Sequence, residues 1–184
     1  MASSAAGVLM IAGSVMFFIS ATMAVPRIYT ESDSAVRIRM LEDHLLLWRL
    51  GQPLFAVGAL AAALGVGSLA ADSTASSQTM LASSCGLLVV GALSWSWCVL
   101  LRGARPREFA LGELPGWPFG IYLWLTLGGL LLLGVGIVLG DWPGWLGWLV
   151  IATDALFLAL YLRYRDLPPF VFYVVLSVVG VVVL

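Results

Sequence analysis

Runs of about twenty apolar residues, recurring from end to end, constrain this chain more than any other feature. A hydrocarbon core roughly 30 Å thick needs about 20 such residues per helix. The sequence supplies stretches near 4–25, 53–71, 80–101, 118–140, 144–163 and 168–184. Inside lipid no water is available to bond backbone amides and carbonyls, so each stretch must satisfy its own as a helix. The reading is an all-α, polytopic integral membrane protein, a single six-helix transmembrane domain over residues 1–184 with short loops. Its 61% hydrophobic and 10% charged residues lie outside the range of an ordinary soluble core. An earlier start for the second span is open, because "LLLWRLGQPLF" is apolar apart from Arg49 and Gln52, and Pro53 is tolerated in a first turn or as a kink.

The opening "MASSAAGVLMIAGSVMFFISATMAVP" has a small residue, Ala24, before a plausible secretory cut. It lacks a positive n-region and its apolar run is too long for a signal, so it is read as a retained first span. Orientation follows from charge. All nine cationic residues are arginines, at 27, 37, 39 and 49, then 102, 105 and 107, then 163 and 165, in the first, third and fifth connections. The second and fourth, "ADSTASSQT" and "GDWPGW", hold none. The positive-inside bias therefore predicts loops one, three and five in the cytoplasm and both termini outside, in the cytoplasmic (inner) membrane. Trp142, Trp145 and Trp148 suit the outer headgroup level, and Arg102, Arg163 and Arg165 can snorkel at the inner one. Loop one predicts a short helix after Ser32 or Asp33, with Arg39 paired to Asp43.

Helices associate in lipid where small residues let backbones approach. Gly58, Ala62 and Gly65 line one face of the second span, and Gly129, Gly136 and Gly140 do so on the fourth, the last two in GxxxG spacing. Ala152, Ala155 and Ala159 form a stripe on the fifth, opposite Asp154, which predicts an interior helix. The echo of "LGVGSLAAD" (64–72) in "LGVGIVLGD" (133–141) is read as coincidence within a small alphabet.

Several chemistries have no residues to carry them. The net charge of -1 offers no field for nucleic acid. The sole histidine, His44, sits in a charged loop, which rules out bis-histidine haem within the chain, and no metal-ligand or phosphate-loop spacing occurs. Cys85 and Cys98, about 20 Å apart along one helix, read as packing residues. No serine has a base at matching depth and no two carboxylates pair within the membrane. The expectation is a protein that is not an enzyme and carries no cofactor.

One residue breaks the pattern. Asp154 lies about 13 Å below Trp145, near mid-membrane, at an insertion cost of roughly 2.5–3.5 kcal/mol. It must face protein or water. Its helical face carries Gly147, Val150, Ile151, Leu158 and Tyr161, with no cation before Arg165. At similar depth the other spans offer hydroxyls at Ser14, Ser94, Thr126 and Ser177, which with Asp154 make a candidate intramembrane polar site, read first as an interhelical hydrogen bond that fixes packing, then as a protonatable or ligand-binding site, and last as a contact to a partner chain. Two functions follow. The first is a structural or accessory component of a membrane assembly, with the lipid bilayer and other membrane subunits or its own copies as partners. The alternative is a small transporter or channel that uses Asp154 for protons, cations or solutes. A polar cavity would favour transport, and a dry bundle with an apolar outer groove would favour the accessory role.

Overall fold

A computed structural model of the chain describes residues 2–23 and 26–184. They form α1 (Ala2–Met23), a 3-10 turn (Pro26–Tyr29), α2 (Ser34–Asp43), α3 (Leu45–Ala71), α4 (Ala75–Ala104), α5 (Pro106–Leu111), α6 (Trp117–Leu139), α7 (Gly144–Tyr164) and α8 (Phe170–Val183). Five helices are long and apolar enough to cross a membrane: Ser4–Met23 within α1, α3, α4, Trp117–Val138 within α6, and α7. The end of the expected first span, at 24–25, and the cleavage point after Ala24 lie outside the described residues.

The boundaries differ from expectation for local reasons. Helix α3 starts at Leu45 because Pro53 removes only one backbone donor and the helix runs through it. Helix α4 begins within the polar "ADSTASSQT", where Ser77 turns inward. The last apolar stretch yields a helix of only 14 residues. Pro168 and Pro169 lack amide hydrogens, and Pro169 disfavours helical backbone at the residue before it, so α8 starts at Phe170. Asp33 caps α2, accepting from Ala35 N at 2.8 Å. Arg39 does not pair with Asp43. Among the described residues the salt bridge is Arg105 to Glu108, at 3.2 Å on the exposed surface.

Neighbouring helices meet through glycine. The lateral order is α8, α1, α3, α4, α6, α7. Between α1 and α3, a Cβ on Gly13 would lie 2.5 Å from Ala62 N, and one on Gly58 would lie 2.7 Å from Gly13 O. Gly65 leaves no more room, with Met10 Cγ at 2.6 Å. Between α4 and α6, Leu88 fills the space above Gly129 and Leu81 that above Gly136, each 2.7 Å from a built Cβ. The bared carbonyls also accept hydrogen bonds: Ser84 Oγ donates to Gly129 O at 2.7 Å and Ser77 Oγ to Gly136 O at 2.6 Å. Ser20 Oγ donates likewise to Gly51 O. Gly140 closes the end of this face, where a Cβ would lie 2.9 Å from Ser77 Oγ of α4. It follows the last turn of α6, where a Cβ would strike the Trp142 ring at 2.7 Å.

Helix α7 is an edge helix rather than the interior one expected. It packs on α6 through Gly147 and Gly134, where a Cβ on Gly147 would lie 2.6 Å from Gly134 O. Its Ala152, Ala155 and Ala159 are exposed. The small residues that set the contact are glycines on the other face, so the alanine stripe marks the helix's outer side. Although consecutive, α7 and α8 approach closely only at one end, where the Phe157 and Phe172 rings lie 5.7 Å apart, because α8 packs chiefly on α1. The centre is aromatic: Phe17 of α1 stacks on Tyr173 of α8 at 3.7 Å, and Trp95 of α4 lies 5.0 Å from Tyr122 of α6. The outward faces are apolar too, with Leu64, Leu93, Trp97 and Val181 all more than half exposed. A belt of that kind suits hydrocarbon rather than water.

Candidate functional site

Asp154 points into the protein, with 6% of its surface exposed, on the α7 face that also buries Leu146, Gly147 and Val150. Two contacts fix its surroundings: Gly147 against Gly134 on one side, and Tyr161 against Trp124, 5.6 Å between rings, on the other. The antiparallel register between them sets Asp154 across from the Leu127 to Leu130 turn of α6, both leucines being buried. The carboxyl makes no hydrogen bond to a described residue, and its Oδ1 is buried without a partner. An unsatisfied buried polar group costs roughly 1–3 kcal/mol.

The hydroxyls at matching depth are not brought to it. Ser14 donates to Met10 O of its own helix at 2.8 Å. Ser94 donates to Pro118 O at 2.8 Å, tying α4 to the first turn of α6. Thr126 is buried between α6 and α4, its Oγ1 3.4 Å from a Cβ built on Gly91. Ser177 is half-buried on α8 and makes no hydrogen bond to a described residue. Nearby in the core, the Tyr122 hydroxyl donates to that of Tyr173 at 3.5 Å.

A groove of about 330 Å³ runs between α7 and α8, lined by the neighbour Thr153 but not by Asp154 itself. Leu146, Leu149, Val150, Thr153 and Phe157 form one wall and Val171, Val174, Val175 and Val178 the other. Thr153 alone brings a polar side chain to it. At 100° per residue, Asp154 lies between the direction of this groove and that of α6, one position on from Thr153.

A second cavity, about 160 Å³, lies at the end of the bundle where α2 docks on α5. Its lining includes Arg37, Cys98, Arg102, Phe109 and Phe119. The Phe109 ring has the Arg37 guanidinium carbon 5.1 Å from its centroid and that of Arg102 at 5.2 Å, and Arg102 lies 5.4 Å from the Trp95 ring. Trp48 stacks on Phe109 at 5.1 Å and donates from Nε1 to Arg102 O at 3.1 Å. Sequence reasoning missed this convergence. Loop-one and loop-three arginines look alike in a sequence, and the usable sign was the aromatic residues interleaved with them.

Among the described residues no three His, Cys, Asp or Glu side chains gather as metal ligands. The chain matches no protein-family model, and no curated protein or solved structure is similar to it.

Proposed function

We propose that the chain is a non-enzymatic accessory subunit of a membrane assembly, in which the α7–α8 groove receives a transmembrane helix of another subunit. The observation that carries this is the unpartnered Asp154 carboxyl, whose neighbour Thr153 lines an apolar groove. A carboxyl that bonds nothing in its own chain stabilises nothing there, so a donor must come from outside. Lipid tails would cover the groove yet offer the small exposed part of the carboxyl no donor. A helix with a hydroxyl, amide or basic side chain at mid-depth meets both needs. The bilayer is the solvent for this assembly, with α8 as a short sixth span eased by local thinning. The arginine distribution supports an inner-membrane orientation with loops one, three and five cytoplasmic and both termini outside.

The transport reading rests on the same carboxyl, and two measurements separate them. Thr153→Trp and Val174→Trp fill the groove from its mouth without touching the bundle centre. Both are expected to fold and to release the chain from its native complex in mild detergent. An unchanged complex means that lipid fills the groove, and a wild-type particle of two copies alone replaces the foreign helix with self-association; either defeats the reading. Wild-type proteoliposomes with a cation or proton flux that Asp154→Asn abolishes would make the chain a transporter.

A further inference from the structure

We propose that Arg37 and Arg102, both against the Phe109 ring and both lining the cavity beside it, form a binding site for a phosphate-bearing anion at the arginine-rich end of the bundle. The argument starts from charge balance. Two guanidinium groups lie 5.1 and 5.2 Å from the centre of one ring, beside a cavity of about 160 Å³ that both line. Among the described residues neither has a carboxylate within salt-bridge distance, and the nearby Glu108 is held by Arg105 on the exposed side. Two cations lining one cavity without an anion repel, and ring faces compensate only in part.

One guanidinium donor is also unspent. Arg37 Nη2 donates to Phe109 O at 3.0 Å, but its Nε is buried with no partner. A guanidinium presents a planar fork of donors matched to phosphate oxygens, and it is less strongly hydrated than an ammonium. The cavity has room for such a group, since a water occupies about 30 Å³ of liquid. The aromatic residues hold both guanidiniums in place before the anion arrives. A phosphate here would come from an anionic lipid headgroup or from a soluble phosphate compound, and the chemistry of recognition is common to both.

The test uses the full chain in phosphatidylcholine nanodiscs, with and without phosphatidylglycerol, and separately with inorganic phosphate in the buffer. Thermal shift and lipid retention in native mass spectrometry are the readouts. At least one probe is expected to raise the melting temperature, less so as ionic strength rises. A response to phosphatidylglycerol alone assigns the headgroup as the source, and a response to inorganic phosphate alone assigns a soluble one. Arg37→Gln and Arg102→Gln are each expected to weaken binding about tenfold or more, while Arg165→Gln, exposed at the same end, leaves it unchanged. Arg37 belongs to a short surface helix, so its variant keeps the test alive where Arg102→Gln does not fold. No response to either probe, or a folded Arg37→Gln that binds as wild type does, overturns the proposal.

Discussion

A serine on a membrane helix has two uses for its hydroxyl, and this chain shows both. Ser14 and Ser96 return it to the carbonyl four residues earlier, where it saturates a donor and joins nothing. Ser77 and Ser84 send it across to glycine carbonyls on α6, where it joins two helices. Ser84→Ala is therefore expected to cost about 0.6–1.7 kcal/mol in detergent, and Ser14→Ala close to nothing, as measured by the denaturation midpoint of each purified variant. Equal losses would mean that the cross-helix bonds contribute no more than the local one. Asp154 stands apart from both cases, because it has no partner to lose. That it would turn away from lipid was readable from its setting in an apolar run, but its isolation was not. One sequence gives a hydroxyl's depth and not the direction in which it turns.

At the scale of elements, close approach depends on what is missing from the helix surface. The α4–α6 contact has an i,i+7 rhythm on both sides, Ser77 and Ser84 facing Gly136 and Gly129, with Leu81 and Leu88 filling the space above the glycines. Gly129→Leu and Gly136→Leu force the backbones apart and are each expected to cost several kcal/mol, in the range of overpacked cores or above it. Gly140→Leu, just past the end of α6, meets the ends of two side chains, the Trp142 ring and Ser77 Oγ, rather than helix backbone, and is expected to cost less. Thermal unfolding of the three variants checks the order, and a Gly140 variant that is the least stable would reverse it. Gly58, Gly65, Gly129 and Gly136 were legible as contact residues because nothing else explains glycine in a helix that has no turn to make. Gly13, Gly134 and Gly180 carry the same signal and were passed over. The alanine stripe of α7 misled for the opposite reason: alanine is as compatible with lipid as with a neighbouring helix, whereas glycine costs helix stability and needs a contact to offset it. The convergence of Arg37 on Arg102 depends on α2 docking against α5, and that docking leaves no periodic trace in either short helix.

For the whole molecule, the arginine-bearing connections gather at one end. Helices α2 and α5 pack together there, and the Tyr122–Phe172 ring contact, 5.9 Å, places the start of α8 beside the start of α6. The membrane orientation proposed from this distribution is testable with single cysteines in a Cys85→Ala, Cys98→Ala background. Ser76→Cys is expected to react with an impermeant maleimide added outside intact cells, and Ser34→Cys only after lysis. Outside labelling at position 34 would invert the orientation. The central claim, that Asp154 serves a partner rather than its own fold, is met most directly by Asp154→Leu with two readings on the same variant: stability of the purified chain in detergent, and size of the complex extracted from native membranes. Removing an unsatisfied buried carboxyl leaves the purified chain as stable as wild type or more so, by up to about 1–3 kcal/mol, while the native complex falls to the size of the chain alone. A purified variant that is destabilised while its native complex keeps full size would contradict the account.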